Sequence, residues 1–282
     1  MIAVLGANGQ LGSAFMRLLG DAASPITRAD LDLANTLAIQ PWMNHLDPSL
    51  IINCAAYTAV DAAESDPETA RLVNATAVGA LARESARHHA TFVTFSTDYV
   101  FDGSKQTGYV ESDDPGPLSV YGVTKLEGEY LALEANPESL VIRTSWVLSG
   151  THSNFATKML DLIARGEVQV VDDQRGRPTI VDDLARTTMQ CIDAKAIGIL
   201  HLANQGVTTW FRLAQRIALL AGLDPDRITP SATEDVLRPA RRPANSVLDS
   251  ELLEILGIIP LPPYHESLAP LVERLRQSAR NG

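Results

Sequence analysis

The first twelve residues constrain this chain more than any other stretch. Ile2 to Leu5, "IAVL", is a short apolar run with strand character that passes straight into "GANGQLG", setting Gly6, Gly9 and Gly12 at a G-x-x-G-x-x-G spacing. An amphipathic helical segment follows from about Leu11 to Leu19. In a strand, turn and helix of this order, Gly6 permits the tight turn, Gly9 lets a pyrophosphate approach the backbone, and Gly12 lets the helix pack closely. The helix N-terminus offers its N–H groups to an anion, so Asn8, Gln10 and Leu11 join the glycines as candidate dinucleotide contacts. The competing reading is glycines that only shape a turn.

The pattern then repeats without the glycines. Pro25 to Thr27 is a weak strand candidate, residues 34 to 46 read as a polar helix, and "SLIINCAA" contains a strong strand at 50–54. "DPETARLVNATAVGALARESARHH" reads as one long helix whose inward stripe is Leu72, Val73, Ala77, Leu81 and Ala82. Strands are expected again in "ATFVTFS" at 90–96 and "SLVIRTSWVL" at 139–148, separated by an Asp-, Gly- and Pro-rich loop and a helix around Tyr121. Strands alternating with helices form a parallel sheet covered on both faces, so the fold class is α/β and Rossmann-like. Residues 1–148 are expected to form this nucleotide-binding domain, with segments from about 178–204 returning to it. Residues 149–282, rich in proline towards the end, are expected to form a smaller substrate-binding lobe.

Composition narrows the function. With 282 residues, 45% of them hydrophobic, the chain can bury a substantial core, and its net charge of −11 disfavours a nucleic-acid partner. No apolar run reaches the roughly 18 residues of a membrane span, and "MIAVLGANG" lacks the basic start of a signal peptide. Cys54 and Cys191 lie far apart, with Cys54 inside an apolar run, which favours buried thiols over a disulfide. A reduced cytoplasmic setting is expected, without a membrane.

Two polar constellations carry chemistry. In "TRADLDL", Arg28 suits the 2′-phosphate of NADP, whereas a carboxylate such as Asp30 or Asp32 suits the ribose of NAD; the reading leans to NADPH, with NADH the alternative, and includes Leu33 at the same place. In "YGVTK", Tyr121 and Lys125 are four residues apart and share a helical face, which ordinary helix surface also produces. A neighbouring ammonium would help a tyrosine, ordinarily titrating near about 10, to release its proton.

Taken with "NCAAYTAVDAAE" at 53–64, "STDYVFDG" at 96–103, "RTSWVL" at 143–148, "VVDDQRGRPT" at 170–179 and "RPANSVLD" at 242–249, these segments resemble the extended short-chain dehydrogenase/reductase superfamily and, within it, the dTDP-4-dehydrorhamnose reductase family. The resemblance implies reduction of the 4-keto group of dTDP-4-dehydro-L-rhamnose to dTDP-L-rhamnose, with a dTDP-linked 4-keto-deoxysugar as partner. A reductase of a related nucleotide sugar and a noncatalytic nucleotide-binding subunit of the same fold are the alternatives. It implies that Tyr121 is the proton donor, that Lys125 holds the nicotinamide ribose and lowers the tyrosine pKa, and that Thr97 is the third catalytic residue. Cys54, Ala55, Ala56 and Tyr57 would lie along the cofactor. Thr58, Val60, Asp98, Tyr99 and Trp146 would meet the sugar, and Asn154, Arg175, Arg177 and Arg242 the nucleotide diphosphate. Some relatives hold magnesium between subunits with an acidic residue on the first helix and a later acidic pair. Here Ala14 stands at the helix position while Asp182 and Asp183 keep the pair, so no metal ligand is assigned and a monomer or a homodimer without a bridging metal is expected.

Overall fold

The computed structural model describes residues 1–281, with side chains through residue 277. Its centre is a six-stranded, all-parallel sheet. In chain order the strands of this sheet and the longer helices are β1 (Ile2–Leu5), α1 (Gln10–Leu19), β2 (Ala23–Ile26), α2 (Ile39–Leu46), β3 (Leu50–Asn53), α3 (Ala77–Arg87), β4 (Thr91–Thr97), α4 (Val120–Ala135), β5 (Leu140–Thr144), α5 (Phe155–Arg165), α6 (Val181–Asp193), β6 (Gly198–His201), α7 (Trp210–Ala221) and α8 (Tyr264–Asn281). The sheet order is β6-β5-β4-β3-β1-β2.

Period-two alternation divides the strand side chains between two cores. Ala3, Leu5, Ile51, Phe92 and Val141 face α2, α3 and α4, where Ile39, Met43, Leu81 and Ala132 are buried. Val4, Ile52, Val93, Phe95, Ile142 and Leu200 face α1 and α6, where Phe15, Leu184 and Ala185 are buried. Both faces are therefore covered, and α6 with β6 rejoins the sheet after the chain has left it. The chain winds from β1 to β2 in one direction and resumes at β3 on the other side of β1. The turns after β1 and β3 thus flank the switch point, where open parallel sheets bind ligands.

The single helix expected between residues 66 and 89 is divided. Pro67–Arg71 is helical, Leu72–Thr76 forms a π-helical turn, and α3 follows. Such bulges are frequent at functional sites, and this one carries the buried Asn74. The second lobe is built on α5, α7 and α8 with short strand pairs, among them Val168–Val171 with Ile228–Ser231. Its core contains Trp146, Leu148, Leu213, Ile217, Leu271 and Val272.

Candidate active site

Gly6 has φ +69°, a left-handed conformation natural to glycine, and an added Cβ would lie 2.8 Å from the Ala55 nitrogen. At Gly12 a Cβ would stand 2.2 Å from the Gly6 carbonyl oxygen. The turn after β1 is thereby pressed between α1 and the 53–57 turn, so the cradle for a dinucleotide is built of backbone. The second turn is held by side chains. Asn53 donates to Thr94 Oγ1 at 3.2 Å and accepts the Ala55 N–H, also at 3.2 Å. Asn74 accepts the Tyr57 N–H at 2.8 Å and donates to the Tyr57 carbonyl and to Thr124 Oγ1. One asparagine therefore ties this turn to the helix that carries Tyr121 and Lys125. Cys54 is a half-buried free thiol pushed up by burial, and Cys191 is also free. His152 in the second lobe reaches the Asn8 carbonyl at 2.9 Å.

At the end of β2, Arg28 and Asp32 pair with each other at 3.2 Å, Asp32 also accepts the Ala34 N–H, and Asp30 caps Thr27. Both charge types that would read a ribose thus occupy one exposed turn. Leu33 turns into the core beside Ile26 and Leu31, so its side chain packs rather than faces a nucleotide.

Ser119 caps α4 by accepting the Gly122 N–H, and Glu64 accepts that of Val120 at 2.9 Å. At Gly122 an added Cβ would lie 2.2 Å from the Tyr99 carbonyl oxygen, so α4 is seated directly against the turn that follows β4. This contact brings Tyr121, in the first turn of α4, beside Thr97 at the end of β4. Burial pushes the phenol up to about 12, the Thr97 hydroxyl acts the other way, and the Asp98 charge adds to the rise. Lys125 donates to the Phe95 carbonyl at 2.6 Å, and burial pushes its ammonium down to about 8, opposed by Glu129. The expected lowering of the tyrosine pKa is therefore not met here: burial dominates, and Lys125 points its charge at a backbone carbonyl. Tyr99 stands edge-on to Tyr121, with ring centroids 6.1 Å apart.

Behind this face lies a buried ionic group that the sequence reading did not pick out. Glu129, one turn beyond Lys125, takes Arg143 of β5 in a fork at 2.7 and 3.0 Å and also accepts the Ser96 hydroxyl. Arg143 reaches His201 Nε2 at 3.4 Å and lies over the Phe101 ring. Glu129 and Arg143 are 1% and 2% exposed, so each charge depends on the other. The available signal was an arginine in the middle of the apolar run "LVIRT", since a charge inside a central strand requires a buried partner.

Other expected contacts lie elsewhere. Asn154 is the N-cap of α5: its amide donates to the Ser149 and His152 carbonyls and accepts the Ala156 and Thr157 N–H groups, leaving no group for a diphosphate. Trp146, at φ +46°, stacks on Trp210 at 3.6 Å, and Gly176 lies so close to the indole that a Cβ there would be 2.4 Å from it. The indole is packed in this way to 8% exposure. The three arginines are dispersed. Arg175 lines an open cavity of about 490 Å³ with Asp172, Thr208 and Arg212. Arg177, two residues on, pairs with Asp249 in another of about 400 Å³. Arg242 forks onto Asp61 at 2.5 and 2.8 Å, holding that carboxyl below the usual carboxylate range. Thr58 is exposed and Val60 opens the short helix that carries Asp61.

The acidic pair does not fit a metal. Asp182 is bracketed by Arg17 at 2.6 Å and Arg274 at 2.8 Å, while Asp183 accepts from Asn204 and Arg186. Two guanidiniums already neutralise the carboxylate that a hard cation would require. Among the described residues, no group of three or more His, Cys, Asp or Glu is placed to hold a metal, and no helix is long and apolar enough to cross a membrane.

Comparison with known proteins identifies the family. The model of the RmlD substrate binding domain matches residues 1–277. A dTDP-4-dehydrorhamnose reductase of Mycobacterium tuberculosis is 40% identical over 281 residues, covering 95% of this chain and 91% of its own length. The crystal structure of a Clostridium acetobutylicum dTDP-4-dehydrorhamnose reductase superposes with TM-score 0.94 at 38% identity, covering 98% of this chain and 99% of its own. That of the Bacillus anthracis dTDP-4-dehydrorhamnose reductase in complex with NADP gives 0.92 at 33% identity, covering 96% and 97%. A family model over residues 1–277 and relatives matched over nearly their whole length show that the chain belongs to the dTDP-4-dehydrorhamnose reductase family of short-chain dehydrogenase/reductase-like enzymes.

Proposed function

We propose that this protein reduces the 4-keto group of dTDP-4-dehydro-L-rhamnose to give dTDP-L-rhamnose, with NADPH as reductant and NADH as the alternative. The observation that carries the reading is the seating of Tyr121 beside Thr97, with Lys125 one turn further along the same helix. The glycine cradle fits a pyrophosphate, because its backbone stands where any Cβ would intrude. The nicotinamide, when bound, supplies a hydride to the carbonyl carbon.

The protein's own part is at the oxygen. As negative charge develops there, Thr97 donates a hydrogen bond and the Tyr121 phenol gives up its proton. A phenol at about 12 is a weak acid in the resting site, yet an alkoxide is a far stronger base than a phenolate, so the transfer runs downhill. Lys125 serves as a fixed positive group and ribose donor on the same face. Asp98, Tyr99 and Trp146 would orient the sugar, and Thr58, Val60 and the arginines would line the route of the nucleotide. A cytoplasmic monomer, or a homodimer without a bridging metal, completes the proposed setting.

The test is turnover of freshly generated dTDP-4-dehydro-L-rhamnose by purified protein with NADPH or NADH, and the configuration of the product. Formation of dTDP-L-rhamnose supports the reading. Cofactor binding without turnover of this or any related nucleotide 4-ketosugar would leave a noncatalytic nucleotide-binding role instead.

A further inference from the structure

A hydroxyl has one hydrogen to give and two lone pairs with which to accept. Thr97 Oγ1 accepts the Tyr99 N–H at 3.2 Å and donates to Asp98 Oδ1 at 3.0 Å. In that arrangement its only hydrogen is directed at a carboxylate and cannot also reach an oxygen beside the Tyr121 phenol. Asp98 is 3% exposed, and among the described residues its Oδ2 meets no hydrogen-bond partner. The Ser246 hydroxyl close by donates to the Arg175 carbonyl at 3.4 Å. A buried carboxylate with an unpartnered oxygen is unfavourable as an anion. As a neutral carboxyl it can instead donate to Thr97 and fill that hydroxyl's second acceptor place. Thr97 then accepts from Tyr99 and Asp98, and its hydrogen is free.

We infer that Asp98 is a positioning residue that must carry a proton for Thr97 to turn its own hydrogen towards the reacting oxygen. Asp98 thus gates the site through the direction of one hydrogen bond. This inference rests on the reductase reading and adds a pH dependence to it.

Burial pushes the Asp98 carboxyl up to about 7, with the Ser246 and Thr97 hydroxyls and the backbone N–H groups acting the other way. The other ionisable groups acting at this turn are Tyr99 on the turn itself and Tyr121 on α4, with Arg238 and Arg242 acting on Tyr99 from the neighbouring segment. Further along α4, Lys125, at about 8, also loses its proton on the alkaline side. Activity should therefore fall first as Asp98 ionises near pH 7 and again as Lys125 does.

The experiment is kcat/KM against pH for the wild type and Asp98→Asn, whose amide donates to Thr97 at every pH. The wild type should lose about tenfold per pH unit beyond the Asp98 midpoint. In the variant the limb should move to that of Lys125, whatever the absolute rate. The same midpoint in both proteins overturns the inference. An independent readout needs neither substrate nor a folded Asp98 variant: infrared titration of buried carboxyl groups in wild type and Thr97→Val. A carboxyl titrating near 7 should shift upwards in Thr97→Val, because the charge-assisted hydrogen bond that its anion loses is stronger than the neutral one that the protonated carboxyl loses. Absence of such a carboxyl, or its indifference to Thr97→Val, overturns the coupling. Failure of the wild type to reduce any ketosugar would reject the reductase reading, while the infrared titration would still decide the Asp98–Thr97 coupling.

Discussion

The sheet-end region and the second lobe treat their polar residues in opposite ways. Around β4 and α4, Thr97 and Tyr121 are brought together by tight backbone contacts, with Lys125 one turn further on, and behind them the Glu129–Arg143 fork ties α4 to β5. In the second lobe, the residues expected to hold a diphosphate are already engaged: Asn154 as a helix cap, Arg177 with Asp249, Arg242 with Asp61. A reactive side chain can be recognised by local spacing when backbone geometry fixes its neighbours. A binding arginine cannot, because its partner is chosen by tertiary packing.

Substitutions sharpen the contrast. Tyr121→Phe should lower kcat by about 10³-fold, within the usual range for loss of a general acid, with the cofactor dissociation constant within about threefold of wild type. An equal loss in both quantities would show that the phenol mainly builds the cofactor site. Glu129→Gln leaves the Arg143 charge buried without its partner and should destabilise the fold by about 3–5 kcal/mol in urea unfolding. A change below about 1 kcal/mol would mean that the fork is not what holds α4 in place. Asn154→Ala should remove about 1 kcal/mol of stability through the lost cap. Its kcat/KM should stay at the wild-type value, and a large rise in KM would restore Asn154 to the substrate site. Asp61→Asn should have the smallest effect. The Asp61 carboxyl is held below its ordinary 3.8 by Arg242, so the stabilisation is complete above that value and is lost as pH falls through the lower folded value. Thermal melts should therefore show wild type slightly more stable than the variant at pH 7 and the two converging in strong acid.

The same division governs what the sequence revealed. The glycine turn, the alternation of strands and helices, and the Tyr-x-x-x-Lys face are local patterns, and the structure has them close to where the pattern put them. Asn74, which bonds to Tyr57 and Thr124, was hidden inside an apparently continuous helix, because the π-helical turn that carries it does not alter the apolar period around it. Glu129 and Arg143 are 14 residues apart and meet only when α4 packs on β5. Trp146 was legible as an aromatic at a strand end, but its stacking on Trp210 joins residues far apart in sequence.

The most direct test of the account is to follow a label. With NADPH carrying deuterium at the transferable position, the purified protein should convert dTDP-4-dehydro-L-rhamnose to dTDP-L-rhamnose bearing one deuterium at carbon 4, read by NMR. Consumption of the ketosugar without deuterium at that carbon, or no consumption at all by folded, cofactor-binding protein, would contradict it.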